Sequence, residues 1–76
     1  SLIFKADPGA FTPQATFVIR DRESKEEIQE GLADYNGGAY IDITNSATPL
    51  NSNRNFEVQE GNSNFVKITT GQLMFE

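Results

Sequence analysis

Ser24-Lys25-Glu26-Glu27-Ile28-Gln29-Glu30-Gly31-Leu32-Ala33-Asp34-Tyr35 is the stretch whose reading separates the two folds open to this chain. Ser24 and Glu27 have the S-x-x-E spacing of a capping box, in which a serine oxygen and a glutamate carboxylate satisfy the orphan amides of a helix's first turn. Glu26, Glu27 and Glu30 suit the positive end of a helix dipole. Ile28, Leu32 and Tyr35 then fall at i, i+4 and i+7, and Asn36-Gly37 supplies a stop. The spacing predicts a helix over about 25–35. Against it stand Gly31, which costs about 1 kcal/mol relative to alanine inside a helix, and an apolar stripe only three residues wide. The competing reading is a turn over Arg22 to Glu27 and an edge strand from Ile28 to Tyr35. Its alternation is poor, because Glu30 and Asp34 share a face with Ile28 and Leu32.

On either side of this stretch the pattern is that of strands. Ala15-Thr16-Phe17-Val18-Ile19-Arg20 is β-branched and aromatic, bounded by Pro13 and by the charges at Asp21 to Glu23. Before it, Leu2-Ile3-Phe4 stops at the turn residues Asp7-Pro8-Gly9. After it, Ala39 to Thr44 alternates, with Ile41 and Ile43 on one face and Tyr40, Asp42 and Thr44 on the other. Phe56 to Glu60 and Phe65 to Thr69 flank the turn tetrad Gly61-Asn62-Ser63-Asn64 and read as a hairpin. Leu73 to Phe75 forms a last short strand. Asn45 to Asn55, rich in Asn, Ser and Thr, reads as a long surface loop. The expected architecture is α+β and β-dominated: five or six short, mostly antiparallel strands with one helix over them. The alternative is an all-β sandwich without a helix, of the kind common in surface modules.

At 76 residues the chain has room for one thin core, so residues 1–76 are expected to be a single small domain, excised from a larger protein. With no cysteine, no disulfide or thiolate metal site can staple that core. The mean hydropathy of -0.47 and the absence of a long apolar run argue against membrane insertion and for a soluble domain. The net charge is -5, and the only basic cluster, Arg20, Arg22 and Lys25, is interspersed with Asp21, Glu23, Glu26 and Glu27. Nucleic-acid binding, which needs a continuous positive strip, is not expected.

With no histidine and no cysteine, the commonest general base and every Ser/His or Cys/His nucleophile pair are absent. The remaining carboxylates lie mostly in the polar stretch Asp21 to Asp34, so no enzyme and no cofactor are expected. Asp34-x-Asn36-x-Gly38-x-Tyr40-x-Asp42 places oxygen ligands at alternate positions, which makes Asp34, Asn36 and Asp42 the candidate calcium ligands. Calcium loops, however, carry oxygen side chains where this one has Gly38 and a bidentate glutamate where it has Asn45. The phenylalanines read as core except Phe11, which with Tyr40 is placed outside it. Tyr40, Leu50 and Arg54 are the candidate partner-binding residues.

Three functions are compatible with these features. The first is a non-catalytic interaction or structural module of a larger surface, secreted or virion protein, a location suggested by abundant Asn, Ser, Thr and Gly with scarce Lys. The second is a calcium- or glycan-binding domain. The third is an acidic cytosolic regulatory domain that binds a basic protein partner.

Overall fold

The computed structural model describes residues 1–46, 55–68 and 73–75. The strands are β1 (Leu2–Ala6), β2 (Thr16–Asp21), β3 (Glu27–Leu32), β4 (Ala39–Asp42), β5 (Phe56–Glu60), β6 (Val66–Lys67) and β7 (Leu73–Phe75). They form two antiparallel sheets, ordered β4-β1-β7 and β3-β2-β5-β6. Leu2, Phe4 and Ala6 of the first sheet share one core with Phe17, Ile19, Phe56 and Val58 of the second. No helix occurs among the described residues, and none is long and apolar enough to cross a membrane.

The helix expected over about 25–35 is therefore replaced by a hairpin loop and β3. Asp21, only 3% exposed, performs the capping assigned to Ser24: its Oδ1 accepts the amides of Glu23 and Ser24, both at 2.8 Å. The loop closes through Lys25 N to Asp21 O (2.9 Å) and Asp21 N to Glu26 O (2.9 Å), with Lys25 in the left-handed region at φ 64°. Local propensity for a helix here is worth only tenths of a kcal/mol per residue. Against it stands the row of amides and carbonyls that β2 presents at its open edge, and β3 satisfies it. Leu32 and Tyr35, two of the three stripe residues, are 63% and 81% exposed. Ile28 still packs against the core, because a bulge inserts it where Ile19 pairs with Gln29 and Arg20 with Glu27.

The other strand assignments hold with shifted bounds, and the strand read over Phe65 to Thr69 is confined to Val66–Lys67, with Thr69 outside the described residues. β1 runs on to Ala6, and β4 ends at Asp42. The hairpin pairs Glu57 with Lys67 and Val58 with Val66 across a turn in which Gly61 has φ 54°. Ile43 is fully buried and Tyr40 is exposed, as the alternation requires. Of the loop read at 45–55, residues 47–54, including Leu50 and Arg54, lie outside the described residues.

Two of the connections that cross between the sheets, 7–15 and 33–38, are laced together. Gly9 N donates to Asn36 O (2.8 Å), Phe11 N to Gly37 O (2.8 Å) and Gln14 N to Asp34 O (3.1 Å). This lacing drives Phe11 inward. It is 9% exposed and stacked on Phe17 with ring centroids 5.0 Å apart, which corrects its placement outside the core.

Candidate functional site

The inner face of the second sheet is closed at one end of β6 and open at the other. Ile68, just past β6, is 5% exposed, whereas Val66 is 63% exposed although its partner Val58 belongs to the core. Residues paired across an antiparallel ladder share a face. Val66 thus continues the core surface outward beyond its cover. Beside it lies a groove of about 230 Å³ lined by Phe11, Val58, Val66, Glu60, Ser63 and Asn64, among others.

The rim of this groove is held by local polar contacts. The Glu60 carboxylate accepts the Thr12 amide at 2.7 Å and its hydroxyl at 3.3 Å, fixing the 7–15 connection to the end of β5. Ser63 returns its hydroxyl (2.6 Å) and its amide (3.0 Å) to Glu60 O, and Gln59 Nε2 donates to Ser63 O at 2.8 Å. Floor and rim together give a shallow concave surface of mixed apolar and polar lining. Binding sites are commonly concave.

The opposite, outer face of the same sheet carries charge in a row. Arg20 pairs in register with Glu27 on β3 and with Glu57 on β5, and Glu57 pairs in turn with Lys67 on β6. Read across the sheet, the row is Glu27, Arg20, Glu57, Lys67, alternating in sign. Arg20 Nε donates to Glu57 Oε1 at 2.5 Å, and its guanidinium lies 3.5 Å from the centre of the Phe65 ring, a cation–π contact. Lys25 Nζ reaches the same carboxylate oxygen at 3.5 Å.

These partners hold Glu57 below the ordinary glutamate pKa of 4.5, the hydrogen bond from Arg20 contributing most. Asp42 is likewise held below its ordinary 3.8 by the hydroxyl and then the amide of Thr44. A carboxylate whose folded pKa is lowered adds stability above its unfolded pKa and loses it as pH falls through the folded value. The melting temperature is therefore expected to hold from neutral pH to about 4.5 and to fall below it, as Glu57 and then Asp42 take up protons. Glu57→Gln should lower the neutral-pH melting temperature and make the acid fall shallower. An unchanged acid profile in a pH series of thermal melts would show that Glu57 plays no such part.

The calcium candidates are placed as turn and strand-end groups. Asp34 Oδ1 accepts the amides of Asn36 (2.8 Å) and Gly38 (2.9 Å). Asp42 Oδ1 accepts the Thr44 amide (2.9 Å) and hydroxyl (2.5 Å), while Thr44 Oγ1 takes the Leu2 amide at 2.7 Å. Asn36 is exposed, and its main-chain oxygen is taken by Gly9. Among the described residues no three acidic side chains come together in a group that could hold a metal ion. Of the partner-binding candidates, Tyr40 is 58% exposed on edge strand β4, opposite Lys5 on the outer face of the first sheet. Leu50 and Arg54 fall outside the described residues.

The groove is not legible in the sequence. The alternation of Phe56 to Thr69 places Val58 and Val66 on one face but does not say where the core stops covering that face. In comparisons with known protein families, curated proteins and solved structures, nothing matches the chain.

Proposed function

We propose that the chain is a non-catalytic interaction module of a larger surface, secreted or virion protein, and that it binds through the open side of its second sheet. The observation that carries this reading is Val66: a β-branched residue on the core face of its strand, 63% exposed and bordering a groove floored by Phe11 and Val58. Apolar surface left in a concave site is where association gains most from excluding water. The acid–base properties of the charged groups support the same reading. Glu57 and Asp42 are both shifted toward the ionised form by structural partners, whereas a general acid near neutral pH needs the opposite shift.

The test is made in the whole parent protein. Val66→Glu is expected to leave the domain's melting temperature within about 2 °C, since the residue is mostly outside the core. It should also remove the cross-links that the parent protein forms through this domain in its native cell or particle. Cross-links that persist in the variant at parental levels would refute the groove as the binding face.

A further inference from the structure

β6 ends the second sheet, and its register determines which of its backbone groups face outward. Ile68 N donates to Phe56 O at 3.0 Å, so 56 and 68 form a hydrogen-bonded pair. In an antiparallel ladder such pairs alternate with non-bonded ones. Val58 and Val66 are then bonded to each other, and Glu57 and Lys67 lie opposite without exchanging hydrogen bonds. The amide and carbonyl of Lys67 therefore point away from β5, toward the place a further strand would occupy. Among the described residues no strand lies there.

The side chains on that edge specify what such a strand should carry. Toward the inner face, Val66 and the groove offer an apolar seat. Toward the outer face, Lys67 is exposed, ends the alternating row Glu27, Arg20, Glu57, Lys67, and makes no ion pair among the described residues. A residue directly across from Lys67 on an added strand would continue the row if it were acidic. Opposite charges facing each other on neighbouring strands are favourable, and like charges are not. The groove-side rim carboxylate, Glu60, is already taken by Thr12.

We infer that the edge of β6 receives an extended peptide segment of a partner protein in which apolar and acidic side chains alternate, joining the second sheet as a fifth strand. This rests on the interaction-module reading and names the partner class of that site. Strand addition of this kind draws affinity from main-chain hydrogen bonds and specificity from alternate side chains. Here the apolar side chains enter the groove beside Val66, and an acidic one meets Lys67.

The probes are two blocked five-residue peptides, one alternating valine with glutamate and one alternating valine with lysine, titrated into the isotope-labelled domain. The acidic peptide is expected to bind with a Kd on the order of 0.1–1 mM, as a single short strand on a two-residue edge allows. It should move the Val66 and Lys67 amide signals and slow hydrogen exchange at the Lys67 amide. The lysine peptide should bind at least about tenfold more weakly. Lys67→Glu should reverse that preference at a modest cost in melting temperature, because it sets a like charge opposite Glu57. Equal binding of the two peptides, signal changes centred on β3 or β4, an unaltered preference in Lys67→Glu, or no binding at several times 1 mM would each overturn the assignment. None of these results bears on the cross-linking of the parent protein, so the interaction reading stands or falls separately.

Discussion

Phe17→Ala is expected to cost about 3–5 kcal/mol, most of the stability a domain of this size possesses. Phe17 is 2% exposed, stacks on Phe11, and meets the Phe4 ring at a centroid distance of 5.6 Å. Its removal leaves a cavity between the sheets at their common centre. The ring also dictates its cross-strand neighbour: a Cβ built on Gly31 would lie 2.3 Å from the tip of the Phe17 ring. Gly31→Ala alone should therefore lose about 1–3 kcal/mol through overpacking. In the Phe17→Ala background the same change should cost little, because the ring it collides with is gone. Denaturant unfolding of the two single variants and the double variant would yield a coupling of at least about 1 kcal/mol. Simple additivity would mean that the ring does not exclude a side chain at position 31.

Gly37→Ala should be comparably damaging for a different reason. Gly37 has φ 78°, and a Cβ there would sit 2.2 Å from the backbone oxygen of Phe11, an atom that cannot swing away as a flexible side chain can. To the backbone strain of about 1–2 kcal/mol is added the displacement of a connection tied by Phe11 N to Gly37 O. The expected loss is about 3 kcal/mol or more, roughly 15 °C in melting temperature. Gly9→Ala is the control: its φ is 88°, but nothing lies within 4 Å of the added carbon, so it should lose only the backbone part. Equal losses at the two positions would show that the contact with Phe11 is unimportant.

Gly31 also shows how the fold was legible in part. As a residue in a helix it was a defect of about 1 kcal/mol; beside Phe17 it is a requirement, and only the tertiary partner distinguishes these. Segments with strong alternation and apolar neighbours, such as 17–19, 39–43 and 56–60, declared themselves, because each buries one face wherever it is placed. Residues 24–35 carried a helix signature whose parts were reused. The acidic residues line an exposed edge, Ser24 sits inside a loop capped by Asp21, and Ile28 enters the core through a bulge. The groove was hidden for a similar reason. Val66 and Ile68 look alike in sequence, and their opposite burial depends on what lies above them.

The order of strands in the first sheet has a kinetic consequence. β1 holds the centre, with β4 on one side and β7 on the other, and Leu2 is paired with Phe75. The apolar run Leu2-Ile3-Phe4 leaves the ribosome well before Leu73 to Phe75, yet one edge of it is satisfied only when that later strand arrives. β2 waits similarly for β5. Non-local pairing of this kind carries loop-closure entropy before any contact repays it, which places folding in the millisecond-to-second range rather than microseconds. Until β7 docks, the nascent chain displays an unpaired, hydrophobic strand edge. Its yield on expression should therefore depend on temperature and chaperone supply more steeply than its equilibrium stability would suggest.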